Sequence, residues 1–134
     1  MAITTALCNS YKQEIITGGV HTSADMYKIA LYNSSATLDA TTTAYSATNE
    51  ATGTAYTAGG LTLTGFTVSQ SGNTTQLDFA DATWNASTIV ASGAMIYNSS
   101  KSNKAVAVYS FGGSISSTNG AFTAVIAPGV VGIA

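Results

Sequence analysis

Charged residues are scarce in this sequence, and arginine is absent. Only 7% of its 134 residues are charged, against about 25% in an average soluble domain. The positive charges are four scattered lysines: Lys12, Lys28, Lys101 and Lys104. Because nucleic-acid binding depends on clustered positive charge, the sequence predicts a protein without a nucleic-acid partner.

Cysteine and histidine occur once each, as Cys8 and His21. One cysteine cannot form an internal disulfide. One cysteine and one histidine also cannot supply the usual ligand set of a zinc site. We therefore predict that the protein holds no metal and no cofactor.

Long apolar runs are missing as well. No stretch approaches the roughly 20 apolar residues that a membrane span needs, so we expect no membrane association. The opening residues, MAITTALCNSYKQE, lack the basic and apolar regions of a signal peptide. We expect synthesis in a reducing cytoplasm, without secretion by the usual route.

Small uncharged residues take the places that charged residues hold in most domains. Hydrophobic residues make up 46% of the chain, and threonine, serine and glycine are frequent among the rest. A lone domain of this composition must expose many apolar atoms, and small monomers rarely show large apolar patches. The composition therefore predicts a homo-oligomer or a component of a larger assembly.

The strongest structural pattern is a β-hairpin over residues 89–111. Two apolar runs, IVASGAMIY and AVAVYSF, flank the polar connection NSSKSNK. The residues of the runs suit strands, and Asn and Ser suit turns. Because both arms are almost uncharged, we predict that they are central strands with a solvated turn between them.

The N-terminal part has the pattern of a helix over about residues 4–17. Apolar residues recur there at three- and four-residue steps, with polar residues on the other side. Thr4 or Thr5 is suited to cap the start, and Gly18-Gly19 to stop the helix. No other stretch predicts a helix with comparable clarity.

The remaining strands are predicted by alternation of apolar and polar residues. One covers about residues 26–32, and further strands follow over about residues 61–133, with a turn at Pro128-Gly129. A bulge at Gly65 would keep four apolar side chains on one core, namely Leu61, Leu63, Phe66 and Val68. The long segment 33–60 is more than a connection, and we expect it to be functional or interfacial.

These elements together predict an all-β fold with one N-terminal α-helix. The strands are short and closely spaced, and no strand-helix alternation suggests a parallel sheet. We expect an antiparallel β-sandwich, jelly-roll-like, in a single domain over residues 1–134.

Two pairs of residues are candidates for catalytic groups. Cys8 with His21 would form a nucleophile and its base only if the two side chains touch, and Cys8 lies on the apolar face of the helix. Asp78 with Asp81, next to Trp84, would suit glycoside hydrolysis. Residues three apart on a strand point to opposite faces, however, and a buried tryptophan anchor explains the pattern better. We predict no catalytic, cofactor-binding or metal-binding residues, and not an enzyme.

Several unusual strings occur in an order that resembles a family of small structural proteins of tailed bacteriophages. They are ALCNSYKQEI, YKIALYNSSATLDATTTAYSATNE, TAYTAGG, LDFADATW and GAMIYNSSKSNKAVAVYSFG, and they cover most of the chain. The resemblance implies a virion component, best placed as a capsid decoration (cement) protein on the surface of the head shell. The family offers no catalytic residues to carry over. As a decoration protein, the chain would clamp neighbouring capsid subunits, with the major capsid protein as partner and a trimer as the favoured homo-oligomer.

An alternative role is a receptor- or glycan-binding module of a tail fibre or head fibre. In that role Tyr45, Tyr56 or Trp84 would serve as platforms on which a sugar ring stacks. Composition favours neither role, because both suit a weakly charged protein rich in strands. Copy number separates them, since a decoration protein is abundant in the particle and a fibre tip is not.

Overall fold

The computed structural model describes residues 3–124 and 131–133 of the chain. Within them the fold is all-β with antiparallel sheets and one helix, which confirms the predicted fold class. In chain order the elements are β1 (Ala6–Leu7), α1 (Asn9–Thr17), β2 (Tyr27–Tyr32), β3 (Gly53–Thr54), β4 (Leu61–Thr62), β5 (Thr67–Ser71), β6 (Thr74–Asp78), β7 (Ala82–Asn98), β8 (Lys104–Ser116), β9 (Gly120–Ala124) and β10 (Val131–Ile133).

The strands of the described residues form a seven-stranded sheet and a three-stranded sheet. The large sheet has the order β1-β8-β7-β2-β4, and β3 and β9 also pair with β7. The small sheet has the order β10-β6-β5. The sandwich and jelly-roll parts of the expectation, and the single domain, stay predictions.

β7 and β8 form the predicted hairpin, and β7 lies at the centre of the large sheet between β8 and β2. The register pairs Met95 with Val108 and Asn98 with Lys104, which leaves residues 99–103 as the turn. Every residue from 91 to 98 and from 105 to 108 is buried, so this part of the hairpin is covered on both faces. Burial on both faces explains why its arms carry almost no charge.

The helix begins later than the sequence predicted. Ala6–Leu7 pair with β8 as β1, and the backbone N–H of Cys8 also donates to a carbonyl of β8, at 3.0 Å. These sheet hydrogen bonds occupy backbone groups that an earlier first helical turn would need. The helix α1 therefore begins at Asn9, and neither Thr4 nor Thr5 caps it.

Two glycines mark places where the chain changes direction. Gly18 ends α1 as predicted, with φ +86° and its N–H donating to Glu14 O at 2.9 Å. Gly65 is not the predicted bulge, because it lies between β4 of the large sheet and β5 of the small sheet, with φ +73°. The chain changes sheets there, so Leu63 is buried while Val68 is 58% exposed, contrary to the expectation that both face one core.

The last predicted strand is present as β10, which pairs with β6. The predicted turn at Pro128-Gly129 lies outside the described residues.

Candidate functional site

Cys8 is a buried structural thiol. It precedes α1, has no exposed surface and sits in the core with Tyr11. Burial raises the pKa of its thiol to about 11. Because the thiolate is the reactive form, a thiol with this pKa is a poor nucleophile at neutral pH.

The ring nitrogens of His21 bind other side chains and not the thiol of Cys8. Its Nε2 lies 2.8 Å from Glu14 Oε1, and the side-chain amide of Asn98 donates to its Nδ1 at 3.1 Å. The ring of Tyr11 meets the imidazole edge-on, with centroids 4.8 Å apart. Both nitrogens of His21 are therefore occupied by structural contacts, and the Cys8–His21 pair considered from the sequence does not form.

The contacts of His21 continue into a chain of polar groups that we call the turn network, made of Glu14, His21, Asp25, Asn98 and Lys101. Asn98 is fully buried and donates to Asp25 Oδ2 at 2.8 Å, and the Lys101 ammonium donates to Asp25 Oδ1 at 2.8 Å. The hydrogen bond from Lys101 holds the pKa of the Asp25 carboxyl well below its usual range. The network joins α1, the link after it and the turn of the central hairpin.

Asp78 and Asp81 do not form a pair on one strand. Asp78 ends β6, whereas Asp81 precedes β7 and is exposed. Asp78 Oδ1 is buried without a hydrogen-bond partner among the described residues. Trp84 is 3% exposed and packs between the rings of Tyr56 and Phe122, so it is the core anchor and offers no face to a sugar.

A buried carboxylate that the sequence reasoning missed lies in the long segment 33–60. Glu50 is 9% exposed and accepts hydrogen bonds from the hydroxyls of Tyr45 and Tyr56 and from the N–H of Gly59. The Tyr45 hydroxyl is 2.6 Å from Oε1, and the Gly59 nitrogen is 2.8 Å from Oε2. We call Glu50, Tyr45, Tyr56 and Gly59 the Glu50 hub. The sequence feature that could have pointed to this site is a glutamate between two tyrosines in an almost uncharged segment.

The Glu50 hub attaches the long segment to the large sheet. The Tyr56 hydroxyl also accepts the backbone N–H of Leu31 on β2 at 2.9 Å. The ring of Tyr45 stacks on Tyr97 of β7, with centroids 4.7 Å apart, and the Tyr97 hydroxyl donates to Gly59 O at 2.6 Å. Burial and the acceptor Glu50 raise the pKa values of Tyr45 and Tyr56. The Glu50 hub thus ties residues 45–59 of the segment to β2 and β7.

Several large apolar side chains are exposed on the surface. Among the described residues they are Ile15, Ile16, Met26, Val68, Val90 and Ile115. Ile15 and Val68 line an apolar cleft of about 230 Å³ together with Tyr11, Tyr27, Phe66 and Leu77. Ile115 lines a second cleft, of about 350 Å³, with Phe111 and Phe122. Apolar clefts and exposed apolar side chains are suited to contact with other protein surfaces.

Comparisons with protein-family models, with curated proteins and with solved structures return no match to this chain. Within residues 3–124 and 131–133, no three acidic, histidine or cysteine side chains group in a way that would hold a metal ion. In the same part of the chain, no helix has the length and hydropathy needed to cross a membrane.

Proposed function

We propose that the protein is a bacteriophage virion structural protein that decorates the capsid. It would bind the major capsid protein on the capsid surface and stabilise the head shell through subunit contacts, after synthesis in the host cytoplasm. The observation that carries this proposal is a weakly charged surface with exposed apolar side chains, of which Ile16 is 87% exposed and Val68 58%. A surface with so little charge does little to keep neighbouring molecules apart, and it suits a protein that works inside an assembly.

The placement of the few charges supports the same function. Asp25 and Glu50 are largely buried, and Glu14 binds His21 and Lys104, so these charges hold the fold together. They are not available to keep neighbouring molecules apart. The protein is suited to close packing with its neighbours through apolar and hydrogen-bonded contacts.

The hydrogen bonds inside segment 33–60 also suit a docking role. A loop with internal contacts loses less conformational entropy when it binds a partner than a loop without them. The Glu50 hub supplies such contacts by holding Tyr45, Tyr56 and Gly59 around one carboxylate. We assign this segment to contacts with the shell or with a sister subunit, in a homo-oligomer for which a trimer is favoured.

The roles of an enzyme or of a glycan-binding fibre module gain less support. The side chains of Cys8, His21 and Trp84 are engaged in packing or in hydrogen bonds inside the fold. Tyr45 and Tyr56 are the other residues suggested for stacking on a sugar. Their hydroxyls donate hydrogen bonds to Glu50, and the ring of Tyr45 contacts Tyr97 while that of Tyr56 contacts Trp84. The buried ring of Trp84 offers no face to a sugar, and the half-buried rings of Tyr45 and Tyr56 are each partly covered by a neighbouring ring.

Quantification of the proteins in purified phage particles tests the proposal. A decoration protein should be among the most abundant virion proteins, in a constant ratio to the major capsid protein. A copy number like that of a fibre tip, or absence from the particle, would overturn the proposal.

A further inference from the structure

The outer edge of the small sheet has no pairing partner in the part of the chain that the structure describes. Its order is β10-β6-β5, so β5 pairs with β6 on one side and with no other strand of the described residues. Residues 67–70 of β5 are all exposed. One side of β5 therefore presents a row of backbone N–H and C=O groups that can pair with another strand.

This edge lacks the features that usually prevent strands from pairing between molecules. β5 has the sequence TVSQS, without lysine, proline or any charge, and its register with β6 runs without a bulge from Thr67 to Ser71. Val68, with 58% of its surface exposed, adds an apolar side chain to the edge. Uncharged edges of this kind act as templates for strand addition.

We propose that β5 pairs antiparallel with β5 of a second copy of this chain, across a two-fold axis at Ser69. Ser69 then lies opposite Ser69 of the second copy, and Val68 lies opposite Gln70. The three-stranded sheets of both copies join into one six-stranded sheet, because each contributes the order β10-β6-β5.

The second copy is the occupant that the strand itself fits best. Two identical strands match in length, and the absence of charge in TVSQS means that no like charges meet across the axis. Val68 lines the apolar cleft beside Ile15, so the contact would extend from the strand edge onto apolar surface. This inference goes beyond the proposed function, since it holds for the purified protein and links two copies whether or not each also belongs to a trimer.

A cysteine substitution at the axis tests the pairing directly. In the purified Ser69→Cys variant, mild oxidation should give a disulfide-linked dimer, because residues opposite each other across an antiparallel pair approach closely enough. Ser23→Cys is the matched control, because Ser23 is exposed in the link between α1 and β2, outside β5 and outside segment 33–60, and Cys8 is buried in both variants. If the Ser69→Cys variant forms the dimer no faster than the Ser23→Cys variant, the proposal is overturned.

A pair of valine variants tests the same contact without crosslinking. Val68 and Val90 are exposed to similar extents, 58% and 53%, so lysine at either position should leave the fold intact, as circular dichroism would verify. In sedimentation, Val68→Lys should weaken self-association by about tenfold or more, since it puts a charge of the same sign into the edge of each copy, and Val90→Lys should not.

Equal sedimentation of the Val68→Lys and Val90→Lys variants would contradict the contact. A second result would also contradict it: the unmodified protein is a monomer, and the Val68→Lys variant loses only its binding to particles. In that case β5 would pair with a capsid subunit and not with a second copy. Normal abundance of the unmodified protein in particles would keep the proposed function standing in either case.

Discussion

Glu50 connects three residues of segment 33–60 through one carboxylate. Its carboxylate accepts from two tyrosine hydroxyls and one backbone N–H in a site that is 9% exposed. Hydrogen bonds to a charged acceptor are stronger than neutral ones, and a buried donor that loses its acceptor is costly. The residue is thus a structural centre, because all of these partners belong to the fold itself.

Replacing this carboxylate should lower stability. Glu50→Gln keeps the shape of the side chain but removes its charge and turns one acceptor into a donor, so we expect a loss of about 1–3 kcal/mol in the free energy of unfolding. Urea denaturation measures the change. Asp39→Asn in the same segment is the control and should shift the midpoint much less, because the hydrogen bonds of Asp39 to Thr41 are exposed to water. A Glu50→Gln midpoint equal to that of the unmodified protein would show that the hub is not needed.

Alkaline pH should lower the stability of the fold, because the Cys8 thiol and the Tyr11 hydroxyl are buried in their protonated forms. Burial raises the pKa of Cys8 from 9.0 to about 11 and that of Tyr11 from 10.0 to about 12. As the pH rises, the unfolded chain therefore loses these two protons before the folded protein does. The contribution of the two groups to the free energy of unfolding is complete below about pH 9 and is lost as the pH rises through about 11 to 12. Urea midpoints measured across this range should fall steadily. A constant midpoint would contradict the burial of these groups.

At the scale of elements, the central hairpin was predictable because its sequence is locally consistent. Uncharged strand-forming runs on both sides of an Asn- and Ser-rich turn leave few alternatives. The start of α1 was not predictable in the same way, because Ala6–Leu7 join β8, which is about a hundred residues later in the chain. Gly65 shows the same limit: its position suggested a bulge, and only the pairing of β4 and β5 with different sheets shows that the chain crosses there.

The polar clusters were also beyond the sequence pattern. Asn98 was assigned to a solvated turn, yet it is fully buried between His21 and Asp25. Its partners are more than seventy residues away in sequence, so no local spacing announces the contact. Local patterns give strands and turns, whereas buried polar networks depend on which distant segments meet.

The hairpin should not tolerate a polar atom in its buried arms. Val106 has no exposed surface, so Val106→Thr keeps the volume but buries a hydroxyl, and we expect a loss of about 1–3 kcal/mol. Val90→Thr is the matched control, because Val90 on the other arm is 53% exposed and should accept the hydroxyl without loss. Thermal or urea unfolding measures both. Equal stabilities of the two variants would mean that the hairpin is not the core.

At the scale of the whole molecule, the small number of charges and the large number of apolar atoms determine which kinds of contact the protein can make with other proteins. Several of the existing charges belong to the turn network and the Glu50 hub. Under the proposed function, contacts with the capsid shell would be mainly apolar and hydrogen-bonded, and such contacts are little affected by ionic screening.

Salt should therefore fail to release the protein from particles. Washing purified particles in salt from low concentration to about 1 M, where the Debye length is only about 3 Å, should leave the bound fraction constant. A decrease of the bound fraction at moderate salt would show that ion pairs hold the protein in place.

The most direct test of the decoration role is an electron cryomicroscopy map of a phage particle that carries this protein. The proposal predicts repeated density on the outer surface of the head shell, at equivalent positions between capsid subunits. The large sheet with its central β7–β8 hairpin should fit that density. Density for this fold at fibre tips alone, with an undecorated head, would contradict the account.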